Sequence, residues 1–270
     1  MIIANVLGAV ADKIFLQNPD TFSSLVAWIG IFTYTMQLYF DFSGYSDMAI
    51  GLGLIFGFKF LENFNYPYLS KSITEFWRRW HISLSTWFKL YVYFPLGGNR
   101  VSKWKHYRNL LIVFFVTGFW HGAGWSFILW GLWHGFFIVL EKMIGLAQET
   151  QNKLSNAFKH VYAIMVVALG FVLFRASDLP YAIKYLKRMF SFSVAPENAY
   201  PLQYYGGPVE IFISIVALLC SIGLFANMLK FAEKNKFTKA TINLWLIILL
   251  VFSLSLIAAS TYNPFIYFNF

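Results

Sequence analysis

Long apolar stretches alternate with short polar ones along most of the chain. Runs near 22–40, 43–60, 109–122, 125–144, 160–176, 209–229 and 242–260 each approach the ~20 apolar residues that a bilayer-crossing helix requires. The 109–122 run is short and ends in Gly118-Phe119-Trp120-His121-Gly122, which reads as a re-entrant helix or one that stops partway. Irregular backbone at that depth is tolerated only inside protein or beside a wet cavity. Residues 62–108 follow another pattern. Ser72-Ile73-Thr74-Glu75 matches a capping box at a helix start. Ile73, Phe76, Trp77, Trp80, Leu84, Trp87, Phe88 and Tyr91 then recur at spacings of three and four, with Glu75, Arg78, Arg79, Ser85, Thr86 and Lys89 opposite. This predicts a basic, Trp-rich amphipathic helix lying in the membrane plane, and a plain surface anchor accounts for the same periodicity. The fold expected is an all-α integral membrane protein of about seven transmembrane or re-entrant helices plus amphipathic surface helices.

Composition agrees. Of 270 residues, 59% are apolar and only 12% charged, against roughly 45–50% and 25% in soluble domains. A water-soluble fold and a nucleic-acid-binding tail are both excluded. The net charge of +9 is unevenly placed: 62–108 holds eight basic and two acidic residues, and 230–240 four basic and one acidic. The positive-inside rule puts both segments on the cytoplasmic side of a cell membrane, with Asp41–Asp47 and 177–208 outside. Lys184, Lys187 and Arg188 make 177–208 the poorest fit to that topology. The single cysteine, Cys220, excludes an internal disulfide. No internal repeat of the kind found in inverted-repeat transporters is evident.

Candidate chemistry centres on histidine. His106 and His160 lie in basic, polar stretches and read as solvated, whereas His121 and His134 lie in apolar surroundings at membrane depth. Ionisable groups there are costly and mark a site by default, though a histidine packed between helices is the plainer alternative. Thirteen residues apart, the two fall about 220° apart on one straight helix, so they need not act as a pair. Glycines 118, 122 and 124 leave His121 free to face a cavity. His81 sits on the apolar edge of the 62–108 helix, and Asp41 and Asp47 bracket Phe-Ser-Gly-Tyr-Ser in what reads as an outside turn. Leu96-Gly97-Gly98-Asn99-Arg100 is a tight turn with only a weak phosphate-binding signal. The chain has no His-Glu-x-x-His, no Gly-x-Ser-x-Gly and no metal-ligand spacing, which disfavours metalloenzyme and serine-hydrolase readings.

The run YFDFSGYSDMAIGLGLIFGFKFLENFNYPYLSKSITEFWRRWHISLSTWFKLYVYFPLGGNR (39–100) resembles the membrane-bound O-acyltransferase superfamily. FWHGAGWSFILWGLWHG (119–135) and PFIYFNF (264–270) extend the likeness, which is greatest for the alginate O-acetylation branch. The resemblance implies that His121, in the Trp-His-Gly motif, is the catalytic histidine and that His81, in Arg-Arg-Trp-His, is a second hallmark near the cavity. It places His134, Asp41, Tyr45, Trp120 and Trp125 around the substrates, with Asp41, Tyr45 and Asp47 in a supporting stretch. Bacterial members of the family are longer, so the resemblance also implies that 1–270 is a single membrane domain lacking the N-terminal part of the full fold.

The function expected is His-assisted transfer of an acyl group, most simply acetyl, from a cytoplasmic donor toward hydroxyls of an exported polysaccharide. No bound cofactor or metal is expected; acetyl-CoA or an acyl carrier protein serves as donor, drawn by Arg78 and Arg79. The resemblance further implies a multi-pass protein of the bacterial inner membrane, with the bilayer, the polysaccharide and an outside-facing SGNH-type acetyltransferase or a small acyl carrier protein as partners, and no nucleic acid. Transfer of D-alanine to teichoic acid is the neighbouring alternative. A non-catalytic scaffold and a transport protein are the rival classes.

Overall fold

The computed structural model describes residues 2–148, 150–191, 196–197, 199–226 and 236–259. All regular structure among them is helical. In chain order the helices are α1 (Ile2–Phe15), α2 (Ser24–Ile55), α3 (Ile73–Arg79), α4 (Ile82–Phe88), α5 (Lys103–His121), α6 (Trp125–Ile144), α7 (Lys153–Arg175), α8 (Leu179–Phe190), α9 (Leu202–Tyr205), α10 (Pro208–Ser221) and α11 (Lys236–Ala259). By length and composition α6, α7 and residues Thr238–Ser255 of α11 can each cross a membrane; α10 is apolar but shorter. The PFIYFNF stretch, residues 227–235 and residue 260 of the last expected span lie outside the described residues.

The first two expected spans are one helix. α2 runs unbroken for 32 residues, about 48 Å, from a Ser23 cap whose hydroxyl accepts the Val26 N–H. The polar stretch read as a turn is helical, and Asp41 is buried within it. α1, for which no element was expected, buries Leu7, Val10, Ile14 and Phe15 on one stripe against α2. α8 occupies the segment expected to be an outside loop. Asp178 caps it by accepting the Tyr181 N–H, and its Ala182, Tyr185 and Met189 face docks on α2. The Tyr185 hydroxyl donates to the Ala27 carbonyl, and its ring stacks on Phe15 at 4.5 Å. Arg175 closes the unit, pairing with Asp12 at 2.6 Å above the Phe15 and Tyr34 rings.

α5 and α6 form the tightest helix pair. A Cβ on Gly131 would collide with the Phe114 carbonyl, and one on Gly118 with the Phe127 carbonyl, so only glycine permits this approach. The 62–108 segment is not one surface helix. Its chain breaks at Trp80 and His81, where His81 adopts φ +44°, a left-handed conformation uncommon for a side-chain-bearing residue. Half of the capping box forms: Ser72 Oγ accepts the Glu75 N–H, whereas the Glu75 carboxylate accepts the Lys71 N–H and not that of Ser72. The apolar face points inward: Ile73, Phe76, Trp77 and Trp80 are core residues packed on α6 and α7. A short π-helical turn, Lys89–Tyr93, then leads toward α5.

Candidate active site

The first turn of α3 positions the site. Three of its N–H groups need partners that the helix itself cannot supply. Ser72 Oγ accepts the Glu75 N–H at 2.9 Å, and the other two donors, on Ile73 and Thr74, are taken by the Glu141 carboxylate of α6. The Thr74 hydroxyl adds a third bond to Glu141 at 2.7 Å. Glu141 is completely buried, and a carboxylate at a helix N-terminus is also favoured by the helix dipole. Residues Trp130, His134, Ile138 and Glu141 lie on one face of α6, spaced by three and four, so a single helix face meets α3 along its length.

At the other end of α3 lies His81. Its ring packs edge-on to Phe42 of α2 at 4.7 Å, and its Nδ1 lies 3.3 Å from Asn63 Oδ1 and 3.3 Å from Ser83 Oγ. The Asn63 side chain also reaches Ser46, and its backbone carbonyl accepts the Ile82 N–H. Burial first, and the charge of the neighbouring His121 second, push the His81 pKa down to about 3. Forty residues apart in the chain, the two histidines are near enough in the fold for the charge of one to act on the other.

His121 is the last residue of α5, followed by Gly122 and preceding the start of α6. It is half-buried, with its imidazole between Trp120 at 4.8 Å, Trp130 at 5.0 Å and Phe174 of α7 at 5.2 Å. Apolar rings surround it without closing it off, an arrangement suited to proton transfer in a water-poor space. His134, by contrast, is wholly enclosed by Phe76, Trp77, Trp130 and Gly170, and neither ring nitrogen has a hydrogen-bond partner among the described residues. Trp130 touches both histidines, so the two share a neighbour while facing different surroundings.

The remaining expected site residues are dispersed. Asp41 is buried one residue before Phe42, the ring that meets His81. Tyr45 is 44% exposed and Trp125 is 71% exposed at the start of α6. Arg79 is committed to structure, bonding Glu75 at 2.9 Å and the Asn65 carbonyl at 3.1 Å. Arg78 instead lines a cavity of about 280 Å³ between α3, α4, α5 and α6, with Lys89 and Lys142 beside it and Trp77 and Phe114 among its apolar walls. His106 and His160, read as solvated, are partly buried and bonded, to the Tyr93 hydroxyl at 3.0 Å and the Ser70 carbonyl at 3.1 Å. No grouping of His, Cys, Asp and Glu suited to a metal ion occurs among the described residues.

Glu141, Asn63 and Trp130 were not singled out from the sequence. Glu141 carried a signal, being the lone acid in the apolar run 125–144, where an ionisable group is costly enough to mark a role. Nothing local distinguishes Asn63 from the other asparagine of Glu-Asn-Phe-Asn-Tyr, or Trp130 from nine other tryptophans.

Helices with lipid-compatible surfaces gathered around a histidine at a helix terminus define an all-α membrane protein with a candidate proton-transfer centre. The sequence model of the membrane-bound O-acyltransferase family, MBOAT, matches residues 4–183, and the chain belongs to that family. It is 42% identical to the probable alginate O-acetylase AlgI of Pseudomonas putida, over 99% of this chain and 58% of that protein. It is 45% identical to the peptidoglycan O-acetyltransferase of Helicobacter pylori, over 70% of this chain and 36% of that protein. The teichoic acid D-alanyltransferase of Bacillus subtilis is 35% identical over 63% of the chain and 47% of its own length. The chain thus spans from about a third to under two thirds of these relatives.

Proposed function

We propose that this chain carries the reaction centre of a membrane O-acyltransferase that moves an acetyl group from a cytoplasmic thioester donor toward hydroxyls of a cell-surface polysaccharide. The observation that carries the reading is His121 at the end of α5, half-buried among the rings of Trp120, Trp130 and Phe174, with His81 near enough to feel its charge. The chemistry balances with this chain's residues. A bare nitrogen of His121 takes the acceptor hydroxyl's proton as its oxygen bonds to the thioester carbonyl carbon. The tetrahedral intermediate then collapses, the C–S bond breaks, and the imidazolium returns the proton to the leaving thiolate. Base assistance of this kind contributes about 10²–10⁴-fold.

Names of relatives support acetyl over D-alanyl transfer: the acetylases and acetyltransferases are 42–45% identical and the D-alanyltransferase 35%. The cationic rim of Arg78, Lys89 and Lys142 suits an anionic donor, acetyl-CoA or an acyl carrier protein, reaching the 62–108 segment from the cytoplasmic side. The rest of the reading follows the same resemblance: a multi-pass protein of the bacterial inner membrane, one domain over 1–270, working with an outside-facing SGNH-type acetyltransferase on the polysaccharide. The resemblance also supports roles near the substrates for Asp41, Tyr45, Trp120, Trp125 and His134; of these, Trp120 adjoins the His121 ring at 4.8 Å and His134 shares Trp130 with it.

The test is acyl transfer by the membrane-inserted chain with radiolabelled acetyl-CoA and with a charged carrier protein. His121→Ala is expected to lower transfer at least about 100-fold at an unchanged amount of protein in the membrane. Transfer persisting in that variant overturns the assignment of the base.

A further inference from the structure

We infer that Asn63 is a positioning residue that holds His81 as its Nδ1–H tautomer and leaves Nε2 as a bare acceptor. The backbone N–H of Ser83 can only donate, and it lies 3.1 Å from the side-chain end of Asn63, so the atom it meets is the amide oxygen. The amide nitrogen then faces Ser46 Oγ at 3.1 Å, where a buried hydroxyl accepts from it. Asn63 therefore cannot be turned over without placing a donor against a donor.

That oxygen also lies 3.3 Å from His81 Nδ1. A carbonyl oxygen only accepts, so the contact is a hydrogen bond only when Nδ1 carries the proton. The second neighbour of Nδ1 agrees. Ser83 Oγ is 2.9 Å from Asn63 Oδ1 and 3.3 Å from Nδ1, so its one hydrogen goes to the nearer oxygen and a lone pair faces the ring. Both contacts favour Nδ1–H, and neutral imidazole then has its only lone pair in the ring plane at Nε2.

The backbone keeps this arrangement in place. The Asn63 carbonyl accepts the Ile82 N–H at 3.0 Å, and the Asn65 N–H donates to the Arg79 carbonyl at 2.9 Å. Residues 63–65 thus splint the chain on both sides of the left-handed corner at His81. Only the consequence rests on the acyltransferase reading. A bare Nε2 accepts a hydrogen bond, from the attacking hydroxyl or from His121, and it cannot donate one to the thioester carbonyl oxygen.

The experiment is ¹⁵N NMR of the full chain, histidine-labelled and held in lipid at neutral pH, with the His81 signals identified by their loss in His81→Gln. The expected result is a protonated Nδ1 and an unprotonated Nε2 in the unaltered protein. Asn63→Leu is expected to move the proton to Nε2, the form that free neutral imidazole of histidine prefers, and Asn63→Asp, which keeps an acceptor in place, to restore Nδ1–H. A merely structural Asn63 would leave the ring nitrogens unchanged in any variant that folds. Protonated Nε2 in the unaltered protein overturns the inference by itself, so the test stands even if Asn63→Leu does not fold; an unshifted tautomer in folded Asn63→Leu overturns it too. In the transfer assay, folded Asn63→Leu is expected to lose about tenfold or more in kcat with little change in donor KM. An Nδ1–H spectrum in a chain that transfers no acyl group upholds the tautomer and counts against the acyltransferase reading alone.

Discussion

Two buried residues hold the site, and each makes a measurable claim. Glu141 satisfies two backbone donors and a hydroxyl at the start of α3. Removing it orphans groups that cost about 1–3 kcal/mol each when buried. Glu141→Ala is expected to lose about 3 kcal/mol or more on that basis, and Glu141→Gln less, because one oxygen still accepts; thermal unfolding in detergent reads both. His81 has its pKa pushed down to about 3 in the folded chain, against an ordinary value near 6.5. The unfolded chain binds the proton more readily, so this contribution to stability is complete above pH 6.5 and is lost as pH falls toward 3. Stability measured across that window is expected to fall less steeply in His81→Gln than in the unaltered protein. An equal slope would mean that His81 titrates alike in both states.

Elements show where a reading of periodicity succeeds and where it stops. The Ser72 cap and the apolar spacing of 73–80 were legible because both are local. The break at His81 was not, since no glycine or proline marks it; splinting by residues 63–65 supports it, and that pairing joins segments apart in sequence. For the same reason a face that periodicity assigned to the membrane surface is core, as amphipathicity shows that a helix has an apolar side and not what covers it. In α2 the polar Asp-Phe-Ser-Gly-Tyr-Ser-Asp stretch read as a solvated outside turn because it follows a long apolar run; with Asp41, Phe42 and Ser46 buried against protein, it stays helical. The α5–α6 contact yields a paired prediction. Gly131→Val wedges the helices apart and is expected to cost about 1–3 kcal/mol or more, whereas Gly44→Ala in α2, with open space around its Cβ, is expected to be near neutral. A loss at Gly131→Val no larger than that at Gly44→Ala would overturn the close-packing account of the α5–α6 contact.

At the scale of the molecule, α1, α2, α8 and α10 pack together and α3, α5, α6 and α7 enclose the histidines, while none of the apolar window of α11 is buried. A membrane helix needs no protein cover, because lipid solvates its side chains as well as other side chains do. Spin labels placed singly from Leu244 to Leu254 are expected to show high oxygen accessibility with no helical period, since side chains around the whole circumference there are exposed. A strong period of 3.6 residues would reveal a protein-facing side. The charge asymmetry of 62–108 marks this segment apart from the spans at the same scale, and three of its neighbouring cations end up around one cavity.

What the sequence determined by itself was the solvent and the family likeness: 59% apolar content and runs of bilayer length require a helical membrane protein, and the Trp-His-Gly and Arg-Arg-Trp-His segments resemble those of the O-acyltransferase family to which the chain belongs. Both are properties of composition and short motifs, which survive without knowledge of contacts. Tertiary structure alone decided that His121 sits among the Trp120, Trp130 and Phe174 rings, that His134 is sealed, and that Glu141 and Asn63 bond the elements around them. Those outcomes depend on hydrogen bonds between residues as much as 68 positions apart, and no local pattern encodes a partner at that distance.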